Sequence, residues 1–152
     1  ELIGIDGSAF AAYNLNSDIT YAQTLTADDK IVRVNAIKYR FGTDDFIVAG
    51  KFDKADQTSC SSICSWNSLS RQFKVLNSNL SGEIVSMDFV GNFLVVAGNL
   101  TLGNRRSVYV AEYDYSKNIW KEQGTQGNGD TQLPGPPTVV INYFLASNQQ
   151  YF

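Results

Sequence analysis

Phe46-Ile47-Val48-Ala49-Gly50 and Leu94-Val95-Val96-Ala97-Gly98 are the same sentence written twice, 48 residues apart. Downstream, Ser65-Trp66-Asn67 corresponds to Glu112-Tyr113-Asp114, and Phe73 to Trp120, both at an offset of 47. Upstream, Asn35-Ala36-Ile37-Lys38-Tyr39 corresponds to Val85-Ser86-Met87-Asp88-Phe89. Self-similarity at a period of this size is the mark of a repeat architecture. One unit runs from about Val32 to Leu76 and a second from about Glu83 to Gln123.

Each unit reads as four short strands. In the second, Glu83–Val90 alternates, with Ile84, Ser86 and Asp88 against Val85, Met87 and Phe89. Gly91-Asn92 supplies a tight turn. Phe93–Ala97 is an uninterrupted apolar run, as expected of a strand buried on both faces. Ser107–Asp114 alternates again, Ser116-Lys117-Asn118 turns the chain, and Ile119-Trp120-Lys121 follows. No segment carries a helical stripe. Four strands per repeat of 45–50 residues predict an all-β, β-propeller-like array of kelch-type blades. Gly50 and Gly98 are expected to let neighbouring backbones approach where blades converge. Trp66, Phe73, Tyr113 and Trp120 are expected to wedge between blades and bury large areas. A generic β-sandwich is the alternative architecture.

The flanks read as partial units. Phe10-Ala11-Ala12-Tyr13-Asn14 resembles a third strand, with Tyr21 near the place of the Phe or Trp. Val139-Val140-Ile141-Asn142-Tyr143-Phe144 resembles a new first strand. The expected organisation is a partial blade at 1–30, blades at 31–80 and 81–124, and the start of another at 138–152. Residues 124–137, which hold all three prolines, form a connecting loop. A propeller needs at least about four blades to close. The chain is therefore expected to be a partial propeller, either an excerpt of a larger protein or one whose flanks pair with each other or with another chain.

Composition removes much chemistry. The 152 residues include no histidine, which excludes the commonest general base, metal ligand and nucleophile partner. A net charge of −3 gives no footprint for nucleic acid. Arg105-Arg106 is the densest basic spot and reads as a solvated loop. No apolar run approaches the roughly 20 residues of a membrane-spanning helix. The chain starts at Glu1 without an initiator Met or visible signal peptide, so it is expected to be processed or cut from something longer. No cofactor is expected.

Cys60 and Cys64 stand in the polar stretch Thr58-Ser59-Cys60-Ser61-Ser62-Ile63-Cys64 and are read as a disulfide. Two reduced thiols in an intracellular protein are the alternative. A zinc site would need more Cys or His, and a thioredoxin-like pair needs two intervening residues rather than three. Asn79-Leu80-Ser81 and Asn99-Leu100-Thr101 both satisfy the N-glycosylation rule. With the cysteine pair they point to the secretory pathway. For a sugar-cleaving site, two carboxylates must flank one bond. Asp44, Asp45, Asp53, Asp56 and Asp88 are the candidates, and Asp53 with Asp56 could join loop carbonyls in a calcium site. The first four read as solvated turn residues.

Taken together, Val34-Asn35-Ala36-Ile37, Ile47-Val48-Ala49-Gly50-Lys51-Phe52, Cys60…Ile63-Cys64-Ser65-Trp66-Asn67, Gly82-Glu83-Ile84 and Val96-Ala97-Gly98-Asn99-Leu100-Thr101 resemble a repeat of the fungal cortical cell-polarity markers, large bud-site-selection glycoproteins of the Rax type. The resemblance implies a glycosylated ectodomain of kelch-like blades on the outer side of the plasma membrane, anchored by a helix absent from this stretch. It implies a protein partner at the cell surface or membrane, and no catalysis. A carbohydrate-binding or carbohydrate-active propeller is the other reading.

Overall fold

The computed structural model describes the backbone of residues 2–6, 9–14, 19–27, 32–103 and 106–122, and side chains of 25–27, 32–103 and 107–122. The expected unit at 138–152, the connection 124–137 and Arg105 lie outside the described residues, as does the side chain of Arg106.

The described residues form strands and turns without a helix. In chain order the strands are β1 (Leu2–Asp6), β2 (Ala9–Asn14), β3 (Ile19–Thr26), β4 (Arg33–Tyr39), β5 (Asp45–Lys51), β6 (Lys54–Ala55), β7 (Thr58–Ser59), β8 (Ile63–Asn67), β9 (Gln72–Val75), β10 (Leu80–Val90), β11 (Phe93–Leu102), β12 (Arg106–Asp114) and β13 (Ile119–Glu122). They make two four-stranded antiparallel sheets, β4-β5-β8-β9 and β10-β11-β12-β13, and an N-terminal sheet ordered β1-β2-β3-β6-β7. The fold is all-β, with blade-like sheets arrayed as a partial propeller.

The two four-stranded sheets repeat each other rung for rung. Trp66 faces Phe73 across β8 and β9, and Tyr113 faces Trp120 across β12 and β13. The apolar run of β5 is covered on both sides: Ile47, Val48 and Ala49 are each 0% exposed. Ile47 and Ala49, with Ile63 and Leu76, share a core with Ile84, Met87, Leu94, Val96, Ala111, Tyr113 and Trp120 of the second sheet. Val48 faces the other way, into a core with Leu25, Phe52, Ala55, Cys60, Cys64, Trp66 and Phe73. The middle sheet is thus sandwiched, and one aromatic pair of each repeat fills each interface. On the outer face of the second sheet, Val95, Ala97 and Val110 form a third buried cluster. They occupy the positions of Ile47, Ala49 and Ile63 one repeat earlier.

Four expectations are corrected. The strict alternation of Glu83–Val90 is broken by a β-bulge: Ile84 pairs with Gly98 and Ser86 with Ala97, leaving Val85 as the extra residue. The bulge moves Ile84 onto the face of Met87, where both are buried, and turns Val85 to solvent. The same bulge, at Asn35, interrupts β4. The glycines serve it within their own sheet rather than where separate blades converge. A Cβ on Gly50 would stand 2.0 Å from the Arg33 carbonyl oxygen, and one on Gly98 would stand 2.0 Å from that of Glu83. Each glycine gives the buckled first strand room against the second.

Tyr21 does not take the aromatic position of its unit. It pairs with Ala12, and Thr20 stands opposite Tyr13. The stretch holding Asp53 and Asp56 also differs from a plain polar loop. Its β6–β7 hairpin joins β3 through Leu25↔Ala55 and Thr26↔Lys54, so this excursion reaches back to the preceding sheet.

Candidate functional site

Two regions bring functional chemistry together: the seam between the four-stranded sheets and the aromatic cleft at their turn end. At the seam, the Asn35 bulge points its amide into the second sheet. Its Nδ2 donates to the Ile84 carbonyl at 2.7 Å and lies 3.4 Å from Glu83 Oε1. Arg33 reaches the same Glu83 oxygen at 3.3 Å, and Lys38 Nζ sits 3.2 Å from Asp88. The two bulges are therefore joined to each other.

The five-residue ring closed by Cys60–Cys64 supplies the second link. The cysteines are paired, as read from their setting, but both are buried rather than on the surface. Inside the ring, Ser62 adopts a left-handed backbone with φ of 68°. Its carbonyl accepts from the Gly50 amide at 2.9 Å, and its own amide donates to the Phe52 carbonyl at 2.8 Å. Its hydroxyl donates to the Gly82 carbonyl in the next sheet. The disulfide thus shapes a clasp between repeats.

At the other end, the β4–β5, β10–β11 and β12–β13 turns enclose a cleft of about 580 Å³ lined by Tyr39, Arg40, Phe41, Phe89, Asn92 and Tyr115, among others. Arg40 lies 3.8 Å from the centroid of the Tyr115 ring, a cation–π distance, and 4.0 Å from Asp45. Tyr115 stacks on Phe89 at 6.3 Å and meets Tyr113 edge-on at 4.8 Å. Burial pushes the hydroxyls of Tyr113 and Tyr115 up from the ordinary tyrosine value, with Arg40 pulling the other way. Phe41 projects at the rim, 94% exposed, and Leu69 on the neighbouring β8–β9 turn is 76% exposed. The Ser68 amide donates to the Asp44 carbonyl at 2.8 Å, tying these two turns together.

The candidate carboxylates are not assembled into one site. Asp44 and Asp45 stand at the start of β5, where Asp45 accepts from Asn67 Nδ2 at 2.8 Å. Asp53 and Asp56 lie beyond the opposite end of that strand, Asp56 at the tip of the β6–β7 hairpin. Asp88 is engaged by Lys38. Among the described residues no group of three or more metal-ligating side chains gathers, and the Asp53–Asp56 segment is the hairpin just described. Asp114, read from sequence as the last residue of a strand, is more constrained. It accepts from the Ser116 hydroxyl at 2.5 Å and amide at 3.0 Å, with Lys121 at 3.5 Å and Lys117 at 3.7 Å. The Ser116 hydroxyl above all holds its carboxyl below the ordinary value.

Both sequon asparagines are exposed. The β10–β11 register places Ser81 opposite Thr101 and Glu83 opposite Asn99, so the two sequons run side by side on one hairpin. Asn35, Ser62, Arg40 and Tyr115 were not singled out from sequence as functional. Only Asn35 carried a signal, as a polar residue at the place in the repeat that Val85 takes in the second unit.

Stacked four-stranded sheets that repeat the same register and the same bulge define a β-propeller repeat module. Residues 10–150 match the family described as the Rax2 C-terminal beta propeller domain, and the chain belongs to that family. It is 32% identical over 119 residues to "Polarized growth protein L1" of Phoma sp. (strain ATCC 20986 / MF5453), an alignment covering 78% of this chain and 8% of that protein. The chain thus spans under a tenth of the length of the curated relative it matches. No solved structure matches it.

Proposed function

We propose that this chain is a non-catalytic, extracellular interaction and structural module of a cell-surface glycoprotein that marks sites of polarised growth. Family membership and the name of its curated relative support the polarity role. The observation that carries the extracellular assignment is the buried Cys60–Cys64 disulfide, which belongs to an oxidising compartment. In this reading N-glycans occupy Asn79 and Asn99, and a protein partner at the cell surface or membrane engages the turn end, where Phe41 and Leu69 project.

Surface labelling of intact fungal cells tests it. An epitope-tagged parent chain should react with a membrane-impermeant amine reagent and concentrate at growing tips or bud sites. Its Cys60 and Cys64 should resist alkylation without prior reduction. A parent chain protected from the reagent, with alkylatable thiols, would contradict the proposal. A carbohydrate-active propeller would instead turn over a glycan in a hydrolase screen, and no turnover is expected.

A further inference from the structure

The two sequons stand in different surroundings. Asn79 lies in the exposed approach to β10, and its carbonyl accepts from the Gly103 amide at 2.8 Å. Asn99 lines a groove of about 450 Å³ with Ala27, Lys51, Phe52, Asp53, Gly82 and Glu83. That volume falls in the roughly 300–1,000 Å³ range of ligand clefts. Four rungs, about 13 Å of strand, separate the Asn79 level from Asn99.

The groove is a seam between all three sheets. Ala27 follows β3, Lys51 to Asp53 leave β5, and Gly82, Glu83 and Asn99 belong to the β10–β11 hairpin. Beside Asn99 the two strands of the hairpin run unusually close: Gly82 has φ of 116°, and a Cβ there would come within 2.2 Å of the Asn99 carbonyl oxygen, so only glycine fits at this point of the groove wall. Lys51, Asp53 and Glu83 are among its lining residues, and ammonium and carboxylate groups can hydrogen-bond the hydroxyls and acetamide of a neutral sugar while keeping other partners.

We infer that the N-glycan on Asn99 is an internal ligand of this protein: its first N-acetylglucosamine seats in the groove and bridges the three sheets, while the Asn79 glycan stands free. The inference rests on the secretory reading proposed above. A sugar joined to Asn99 Nδ2 starts at the groove wall and needs no diffusion to reach it, so even weak hydrogen bonds are made at high effective concentration. The seat also lies next to Glu83, whose carboxylate already ties Arg33 and Asn35 to the second sheet.

The test uses the full chain secreted from a eukaryotic host, with native and denatured protein treated with an amidase that releases N-glycans. Site-resolved mass spectrometry should show the native Asn99 glycan released at least tenfold more slowly than that of Asn79, and both released alike after denaturation. T101A, which abolishes the sequon while leaving Asn99, should lower Tm by roughly 2–5 °C. T101S, which keeps the sequon, and N79Q should leave it unchanged. Equal native release from both sites, or a T101A Tm equal to that of T101S, would overturn the seated glycan alone. Glycan on Asn79 but not Asn99 would do the same. Absence of glycan from both asparagines would instead overturn the secretory reading on which it stands.

Discussion

Gly98 and Asp114 show how single positions hold a repeat in shape. Gly98 faces Ile84 at the bulge, and its missing side chain is what lets β10 buckle there. G98A would press a methyl against backbone 2.0 Å away, and backbone cannot swing aside as a side-chain tip can. A loss of about 1–3 kcal/mol is expected in urea unfolding, and the same from G50A. Equal stability of either variant and the parent would mean that the bulge is absent. Asp114 closes the β12–β13 turn through Ser116 and draws in two lysines. Because its carboxyl is held below the ordinary value of 3.8 in the fold, the stabilisation it gives is complete above that value and is lost as pH falls through the lower folded value. D114N should therefore be less stable than the parent at neutral pH, with the gap closing below about pH 4. Unfolding curves at pH 7 and pH 3 check it, and a gap that widened in acid would contradict the assignment.

At the scale of the element, the excursion between β5 and β8 is the feature that distinguishes the first repeat from the second. It sends the β6–β7 hairpin back to β3 and the Ser62 clasp forward to Gly82. The disulfide makes that two-way grip by fixing the turn that holds Ser62 left-handed. Opening a ring of five residues should cost about 2 kcal/mol in chain entropy. The loss should also be local. In C60S/C64S, the amides of Gly50 and Ser62, which lie on the clasp, should lose hydrogen-exchange protection first, while the β11–β12 ladder keeps its own. Uniform loss of protection across both sheets would mean that the loop supports the whole array rather than the seam. This element was half legible in sequence. The spacing of the cysteines in a polar stretch gave the pairing, but an exposed loop was expected and a buried one is found. The Ser-rich composition reads as surface because serine's own polarity is visible in sequence and its long-range acceptor, Gly82, is not.

Across the molecule, the repeat was the most legible feature, because burial on both faces leaves an unbroken apolar run that survives as Ile-Val-Ala-Gly or Val-Val-Ala-Gly. The offset between repeats even records the loops. It falls from 50 at the first strand to 48 at the second because the Phe41–Asp44 turn, closed by the Arg40 amide on the Asp45 carbonyl, is two residues longer than its Gly91-Asn92 counterpart. The bulges were hidden because alternation assumes one residue per rung, and an extra residue leaves no mark in composition. The Arg40–Tyr115 cleft was hidden too, since it joins turns from two repeats whose contact depends on how the sheets stack. That stacking is the claim on which the rest depends: Ile47, Ala49 and Ile63 of the first repeat share one core with Ile84 and Met87 of the second. I84A, which removes a fully buried side chain from that shared core, should cost about 2–5 kcal/mol and weaken both sheets together, as parallel loss of exchange protection in β5 and β10 would report.

Methyl-labelled NMR of the folded chain tests the stacking most directly. Cross-relaxation is expected between the methyls of Ile47, Ala49 or Ile63 and those of Ile84 or Met87. Strong contacts within each repeat with none passing between them would contradict the account.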